Sequence, residues 1–307
     1  MIINIQPTVD LAFRLMLGSP EHSAVTIHFL NSVLEHGPRI QRATILNPIL
    51  EKETTEDKLA ILDIKAQDEL GRFFNIEMQT SLAGSLQQRL LYYAGRLYCS
   101  QLREGMAYRQ LCPAISICVL SKSLFPNYPR LHFDFLLRDR LGLVFTEELQ
   151  LHLIELPKAK ANVHNVANAS PLERWSFFLL HAHQIDADEL RRLLPESEFH
   201  EALGVLEMIT HTPETRELYE ARLKAKLDEE SRLYDARAEG LSQGLSQGLS
   251  QGLSRGKWIG KIQILEGLLK LTPTDSSMLE SWDEAQLATK AAELEQRWAA
   301  TGHRPAV

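Results

Sequence analysis

Asp63, Lys65, Glu77 and Gln79 are the residues of this chain whose types and spacing could do chemistry. Thirteen residues separate the two acids, and Gln67-Asp-Glu-Leu-Gly71 between them is rich in the residue types that reverse a chain. On either side the apolar residues recur with a period of two: Leu59 and Ile61 run into Asp63, and Phe74, Ile76 and Met78 run away from the reversal. A hairpin centred on residue 70, within Glu69–Gly71, sets Asp63 opposite Glu77. Alternation then puts Gln79 on the face of Glu77 and Lys65 on the face of Asp63, so four polar side chains share one side of a sheet.

Facing carboxylates repel, so such a pair needs a cation or a retained proton. Hard oxygen ligands with positions left for water and phosphate suit Mg²⁺ or Mn²⁺ better than zinc. An ion held there can activate water and meet the charge of a reacting phosphodiester. The spacing alone is weak evidence, since it arises often by chance and is better explained by a solvated polar hairpin face.

The neighbouring elements must position these residues. Residues 8–36 read as two helices divided by Gly18-Ser-Pro20, the first capped by Thr8 with Leu11, Leu15 and Met16 in its stripe, the second carrying Ile27, Leu30, Val33 and Leu34. A helix is predicted over 86–104, with Leu90, Leu91, Ala94, Leu97, Tyr98 and Leu102 on one side and Gly105 as its stop. Strands are predicted at 113–120, 131–136 and 149–155. From 172 to 238 only helical patterns occur, broken near Pro195 and Pro213; the last of them has a narrow seam of Tyr219, Leu223, Leu227 and Tyr234.

A period-four repeat follows: Gly-Leu-Ser-Gln three times and Gly-Leu-Ser-Arg once over 240–255, closed by Gly256. On a helix its leucines form a stripe drifting about 40° per repeat, and each glycine costs about 1 kcal/mol relative to alanine. The segment reads as a flexible linker or as a helix formed on self-association. A helical tail runs from Trp258 to Trp298. The predicted organisation is 1–158, an α/β domain; 159–239, helical; 240–256, linker or conditional helix; and 257–307, helical tail.

Composition narrows the function classes. With 33 basic and 40 acidic residues the net charge is −7, which excludes nucleic-acid binding by bulk charge and confines any such contact to a local patch. Cys99, Cys112 and Cys118 form neither a metal-ligand spacing nor a disulfide framework, and no apolar run reaches 18 residues. The opening MIINIQPTVDLAFRLMLG lacks a basic n-region. A soluble, cytoplasmic protein is expected. HExxH, P-loop, GxGxxG and GxSxG motifs are absent. His181, His183 and the Trp175–Phe178 run read as packing residues, and Arg191-Arg192 as solvated helix surface.

The run from Asp63 to Gln79 resembles the core of the PD-(D/E)XK nuclease superfamily, in particular its Rpn-type recombination-promoting nuclease and transposase family. Asp10-Leu-Ala-Phe-Arg-Leu-Met-Leu-Gly18 resembles that family's opening D-x-x-F-K-x-x-F-G, and Arg89 with Tyr92 and Tyr93 resembles its motif in the helix after the hairpin. Gly105-x-x-Tyr108-x-x-Leu-x-Pro113 and the short glycine repeat fit as well. The resemblance implies an α/β, restriction-endonuclease-like core with a mixed sheet flanked by helices, followed by an α-helical C-terminal region.

The resemblance further implies a metal-dependent DNA endonuclease linked to recombination or mobile elements. Asp63 would be the central metal-binding aspartate, Glu77 the second metal-binding acid, Asp10 a first-helix acid at the metal, and Arg14, Arg89 and Tyr92 contacts to DNA. Gln79 stands where the wider superfamily has lysine, a charge it cannot supply; Lys65 is a candidate replacement. The alternative is a catalytically silent nuclease fold that binds DNA or a partner and oligomerises through its helical tail.

Overall fold

The computed structural model describes residues 1–46, 49–50, 60–61, 64–82 and 84–301. Two compact units divide the chain, Met1–Glu229 and Glu230–Val307.

In the first unit, α1 (Asp10–Leu17) and α2 (Ser23–Val33) lead into β1 (Ala43–Leu46). Next come the short antiparallel pair β2 (Ile49–Leu50) and β3 (Ala60–Ile61), then β4 (Ile64–Asp68) and β5 (Phe73–Gln79). Helix α3 (Leu86–Cys99) precedes β6 (Ala114–Leu120), β7 (His132–Arg138) and β8 (Val144–Glu155). Helices α4 (Pro171–His181), α5 (Ala187–Leu193), α6 (Ser197–His211) and the start of α7 (Pro213–Leu268) follow. Six strands form one sheet in the order β1-β4-β5-β6-β8-β7. It is mixed, with β5-β6 and β6-β8 parallel and the remaining pairs antiparallel, as the resemblance implies.

The hairpin turns where its sequence says it should. Ile64 pairs with Ile76 and Gln67 with Phe73, a register centred on residue 70. Asp68 makes the turn by accepting the Leu70 and Arg72 amide N–H groups at 3.0 and 2.9 Å and the Arg72 side chain at 2.6 Å. Gly71, at φ +82°, takes the left-handed conformation that a side chain would resist.

Alternation splits the sheet into two different faces. Ile64, Ala66, Phe74, Ile76, Met78, Ile115, Ile117 and Val119 join the main core with α1, α2, α4 and α6. The other face receives α3, whose Leu86 and Leu90 pack on Cys118, Leu120, Phe133 and Leu153, and whose Leu97 packs on Ala114. Burying each of those leucines contributes about 2 kcal/mol.

Several boundaries differ from the sequence expectation. The N-cap of α1 is Val9, without a side-chain cap, and Thr8 is buried instead. Helix α3 stops at Cys99, where Ser100 caps it, before the predicted Gly105; Leu91 faces solvent, because the buried stripe is Leu86, Leu90, Ala94 and Leu97. In the predicted seam of α7, Tyr219 is buried, whereas Leu227 and Tyr234 are exposed. The Gly-Leu-Ser repeat is helical and lies within α7.

In the second unit, α8 (Ser276–Ser281) and α9 (Glu284–Ala300) follow the end of α7. Ile262, Leu265, Leu279, Leu287, Ala291 and Leu294 form their common core. Asp283 and Gln286 close a capping box at the start of α9, which fixes where that helix begins. No helix among the described residues is long and apolar enough to cross a membrane.

Candidate active site

Strand β5 carries Phe73, Asn75, Glu77 and Gln79 on the face that meets α3, because the intervening residues belong to the main core. Glu77 is only 3% exposed and Asn75 is fully buried. A carboxylate so placed must be hydrogen-bonded to persist. Asn75 Nδ2 donates to Glu77 Oε1 at 2.6 Å, a charge-assisted bond. Gln79 Nε2 approaches Glu77 Oε2 at 3.4 Å, and Gln79 Oε1 accepts from Arg89 Nη2 of α3 at 3.0 Å. On the next strand, Ser116 stands beside Asn75 with its Oγ 3.4 Å from Nδ2. The result is a continuous polar row, Ser116–Asn75–Glu77–Gln79–Arg89, between a sheet and an amphipathic helix.

Two atoms in this row have no hydrogen-bond partner among the described residues. Asn75 Oδ1 and Arg89 Nε are both buried without a hydrogen bond, which marks them as places where a ligand atom can be received. Lys65 sits across from Asn75 on β4, half-buried, with Nζ 5.4 Å from the Phe73 ring centroid. Tyr92 is exposed on α3, its ring 5.8 Å from that of Tyr93.

Asp63 lies outside the described residues. The other expected participants lie elsewhere in the first unit. Asp10 opens α1, accepts the Leu11 amide N–H at 2.8 Å and meets Arg222 at 3.9 Å. Arg14 lines a 270 Å³ cavity with Leu11, Gly18, Ile45 and Ile64. Helix α1 packs on the apolar face of the sheet, so the described contacts bring neither residue to Glu77. Arg191 is taken up by Glu207 at 2.7 and 2.8 Å, a structural clamp between α5 and α6.

The sequence reading missed Asn75, although its odd position on β5 already placed it beside Glu77. Glu155, at the end of β8, was missed too. It is fully buried and accepts Ser123 Oγ at 2.6 Å, Phe125 N–H at 2.8 Å and Leu124 N–H at 3.1 Å, and it pairs with Lys158 at 2.7 Å. Burial pushes its carboxyl pKa up, but the bonds from Lys158, Ser123 and Phe125 outweigh this and hold it below the ordinary value. Glu155 therefore pins the loop after β6.

Hard divalent cations take oxygen donors. Glu77 and the orphaned Asn75 Oδ1 are donors of that kind, and the set fits such an ion in part. Among the described residues no group of three or more His, Cys, Asp and Glu side chains could hold a metal by itself.

A mixed sheet with a buried acid on its second hairpin strand, covered by the helix that follows, is the core of a restriction-endonuclease-like fold. The family model for the PD-(D/E)XK nuclease family transposases matches residues 7–236, and the chain belongs to that family. No curated protein and no solved structure matches the chain.

Proposed function

We propose that this protein is a metal-dependent DNA endonuclease that hydrolyses phosphodiester bonds, with recombination or mobile elements as its setting. The observation that carries the reading is Glu77, an acid held buried in the middle of a polar row in a family of nucleases. Mg²⁺, for which Mn²⁺ can substitute, would be held by Asp63 and Glu77, Asp10 lying on the other face of the sheet; when bound it supplies Lewis acidity and a water of lowered pKa. Asn75 fixes the Glu77 carboxylate by occupying Oε1 and leaves Oε2 turned toward Gln79. Lys65 would donate to water or phosphate, Gln79 sits between Glu77 and Arg89, and Arg89 and Tyr92 would contact the DNA. A local cationic surface of this kind is compatible with a net charge of −7. The protein acts in the cytoplasm.

Cleavage of plasmid and single-stranded DNA in Mg²⁺, Mn²⁺ or EDTA tests this, comparing the wild type with Asp63→Ala and Glu77→Ala at matched circular dichroism. Cleavage that needs metal and both acids supports the reading; indifference of wild type and variants to metal on every substrate overturns it.

Gln79 favours a second reading, a catalytically silent nuclease fold that binds rather than cuts, since an amide brings no charge to the phosphate. In either case we propose that the chain self-associates through its helical tail. Leu241, Leu245, Leu249 and Leu253 are 59–75% exposed on α7 beside glycines at every fourth position. A helix so rich in glycine is marginal alone and gains most from packing against another.

A further inference from the structure

We propose that Arg89 is the catalytic cation of this site and that Gln79 is its positioning residue, the two together replacing a lysine at position 79. The proposal rests on the nuclease reading. A phosphodiester gains negative charge as water attacks, and a donor or cation aimed at that charge lowers the barrier. Glu77 is acidic and Gln79 neutral, and Lys65, opposite Asn75, has its Nζ 5.4 Å from the Phe73 ring centroid, so the cation that a hydrogen bond joins to Gln79 is Arg89.

Arg89 comes from α3, next to Leu90 and one turn after Leu86, both fully buried, so the helix cannot rotate and the base of the arginine is fixed. Its Nη2 donates to Gln79 Oε1 at 3.0 Å, which anchors the guanidinium at the end of the polar row that holds Glu77. That bond uses one of five N–H groups. Buried Arg89 Nε has no hydrogen-bond partner among the described residues, and a phosphate oxygen is an acceptor that suits it.

The amide at 79 fits this arrangement from both ends. Its oxygen faces the arginine, and its nitrogen, 3.4 Å from Glu77 Oε2, faces the acid. A lysine there would offer Arg89 no acceptor and would set two cations together. Glutamine at 79 and arginine at 89 are therefore a matched pair, and the departure from lysine relocates the charge without losing it.

Charge relocation tests the proposal, using the full-length chain, duplex DNA and Mg²⁺. Arg89→Gln keeps a donor for Gln79 and loses the charge; Arg89→Met loses both; Gln79→Lys/Arg89→Met returns a cation to position 79. Both single variants should lose about 100-fold or more in kcat with a smaller change in KM, and the double variant should recover at least tenfold over Arg89→Met. Without metal, in EDTA, the slope of log Kd against log salt for a duplex should fall by about 0.9 in Arg89→Gln, the loss of one phosphate contact. Wild-type inactivity overturns the nuclease reading itself. An active wild type with an active Arg89→Gln variant, an unchanged salt slope, or a double variant as slow as Arg89→Met overturns the assignment of Arg89 alone.

Discussion

Asn75→Asp exchanges one side-chain atom type and leaves the shape of the polar row intact, yet it sets a second carboxylate against Glu77 where a 2.6 Å hydrogen bond now stands. Two charges about 4 Å apart repel by about 4 kcal/mol at an effective dielectric constant near 20. The folded chain can avoid this by keeping one proton between the two oxygens. Holding a proton at pH 7 against an ordinary carboxyl pKa near 4.3 costs about 4 kcal/mol as well, falling by about 1.4 kcal/mol per unit toward pH 5. The sign follows from proton counting: the folded state binds one proton more than the unfolded state, so stability is lost as pH rises.

Lys65, across the ladder from position 75, offsets no more than about 1 kcal/mol as a half-exposed ion pair. The expected destabilisation is thus about 3 to 4 kcal/mol at pH 7 and about 1 kcal/mol at pH 5, in EDTA. Urea unfolding reported by Trp175 fluorescence, in a Trp258→Phe, Trp282→Phe and Trp298→Phe background, isolates the first unit, which holds Trp175 in its core. A loss of stability that is the same at both pH values would refute the Asn75–Glu77 contact.

Two further expectations concern regions away from the site. His132 Nε2 and His152 Nδ1 lie 2.9 Å apart, and His152 Nε2 lies 3.4 Å from Gln150 Oε1, so His132 donates to His152 and His152 to Gln150. Burial, then the neighbouring His132, holds the pKa of His152 down at about 4, against a small opposing pull from Asp134. The unfolded chain takes up this proton first, so stability falls as pH drops below about 6.5, by about 2 kcal/mol at pH 5. His152→Gln should shrink the pH 7-to-5 difference in unfolding free energy by that amount in the same fluorescence assay; an unchanged difference would count against the buried pair. Replacing Leu241, Leu245, Leu249 and Leu253 together by Gln should lower the assembly state in sedimentation velocity by at least one step and lose the repeat's share of the helical circular dichroism. Identical sedimentation of the two chains would remove the tail from the assembly.

The local elements were legible because each rests on short-range physics. Asp68 and Gly71 determine the reversal, and the two-residue period of Phe74, Ile76 and Met78 determines the register. Pro213 begins α7, whereas the tail read as one helical stretch is divided into α8 and α9. Boundaries that depend on tertiary contacts were less legible. Thr8 carries the composition of a cap but is drawn into the interior, and Leu91 has the composition of a core residue but faces away from the sheet. The seam on α7 failed beyond Leu223 for a similar reason: Tyr219 has Gln6 to receive, its hydroxyl accepting the backbone N–H at 2.8 Å, while Leu227 and Tyr234 remain exposed.

The polar row shows where further inference from sequence was still open. An alternating strand with one polar face reads as half-solvated, which is why Glu77 and Gln79 suggested an open hairpin surface and Asn75 suggested nothing. On the even face of the hairpin, however, Ile64, Ala66, Phe74, Ile76 and Met78 are apolar, and helices α1 and α2 with the layer beyond them are enough to cover them. Helix α3, with its own stripe of Leu86, Leu90, Ala94 and Leu97, then has only the odd face left to cover. Covering that face buries an acid, an amide and part of a guanidinium, an arrangement that costs several kcal/mol wherever a partner is missing. Leucine or valine at those positions would give a more stable sheet, so a chain that keeps Asn75, Glu77 and Arg89 under a helix is keeping them for what they bind.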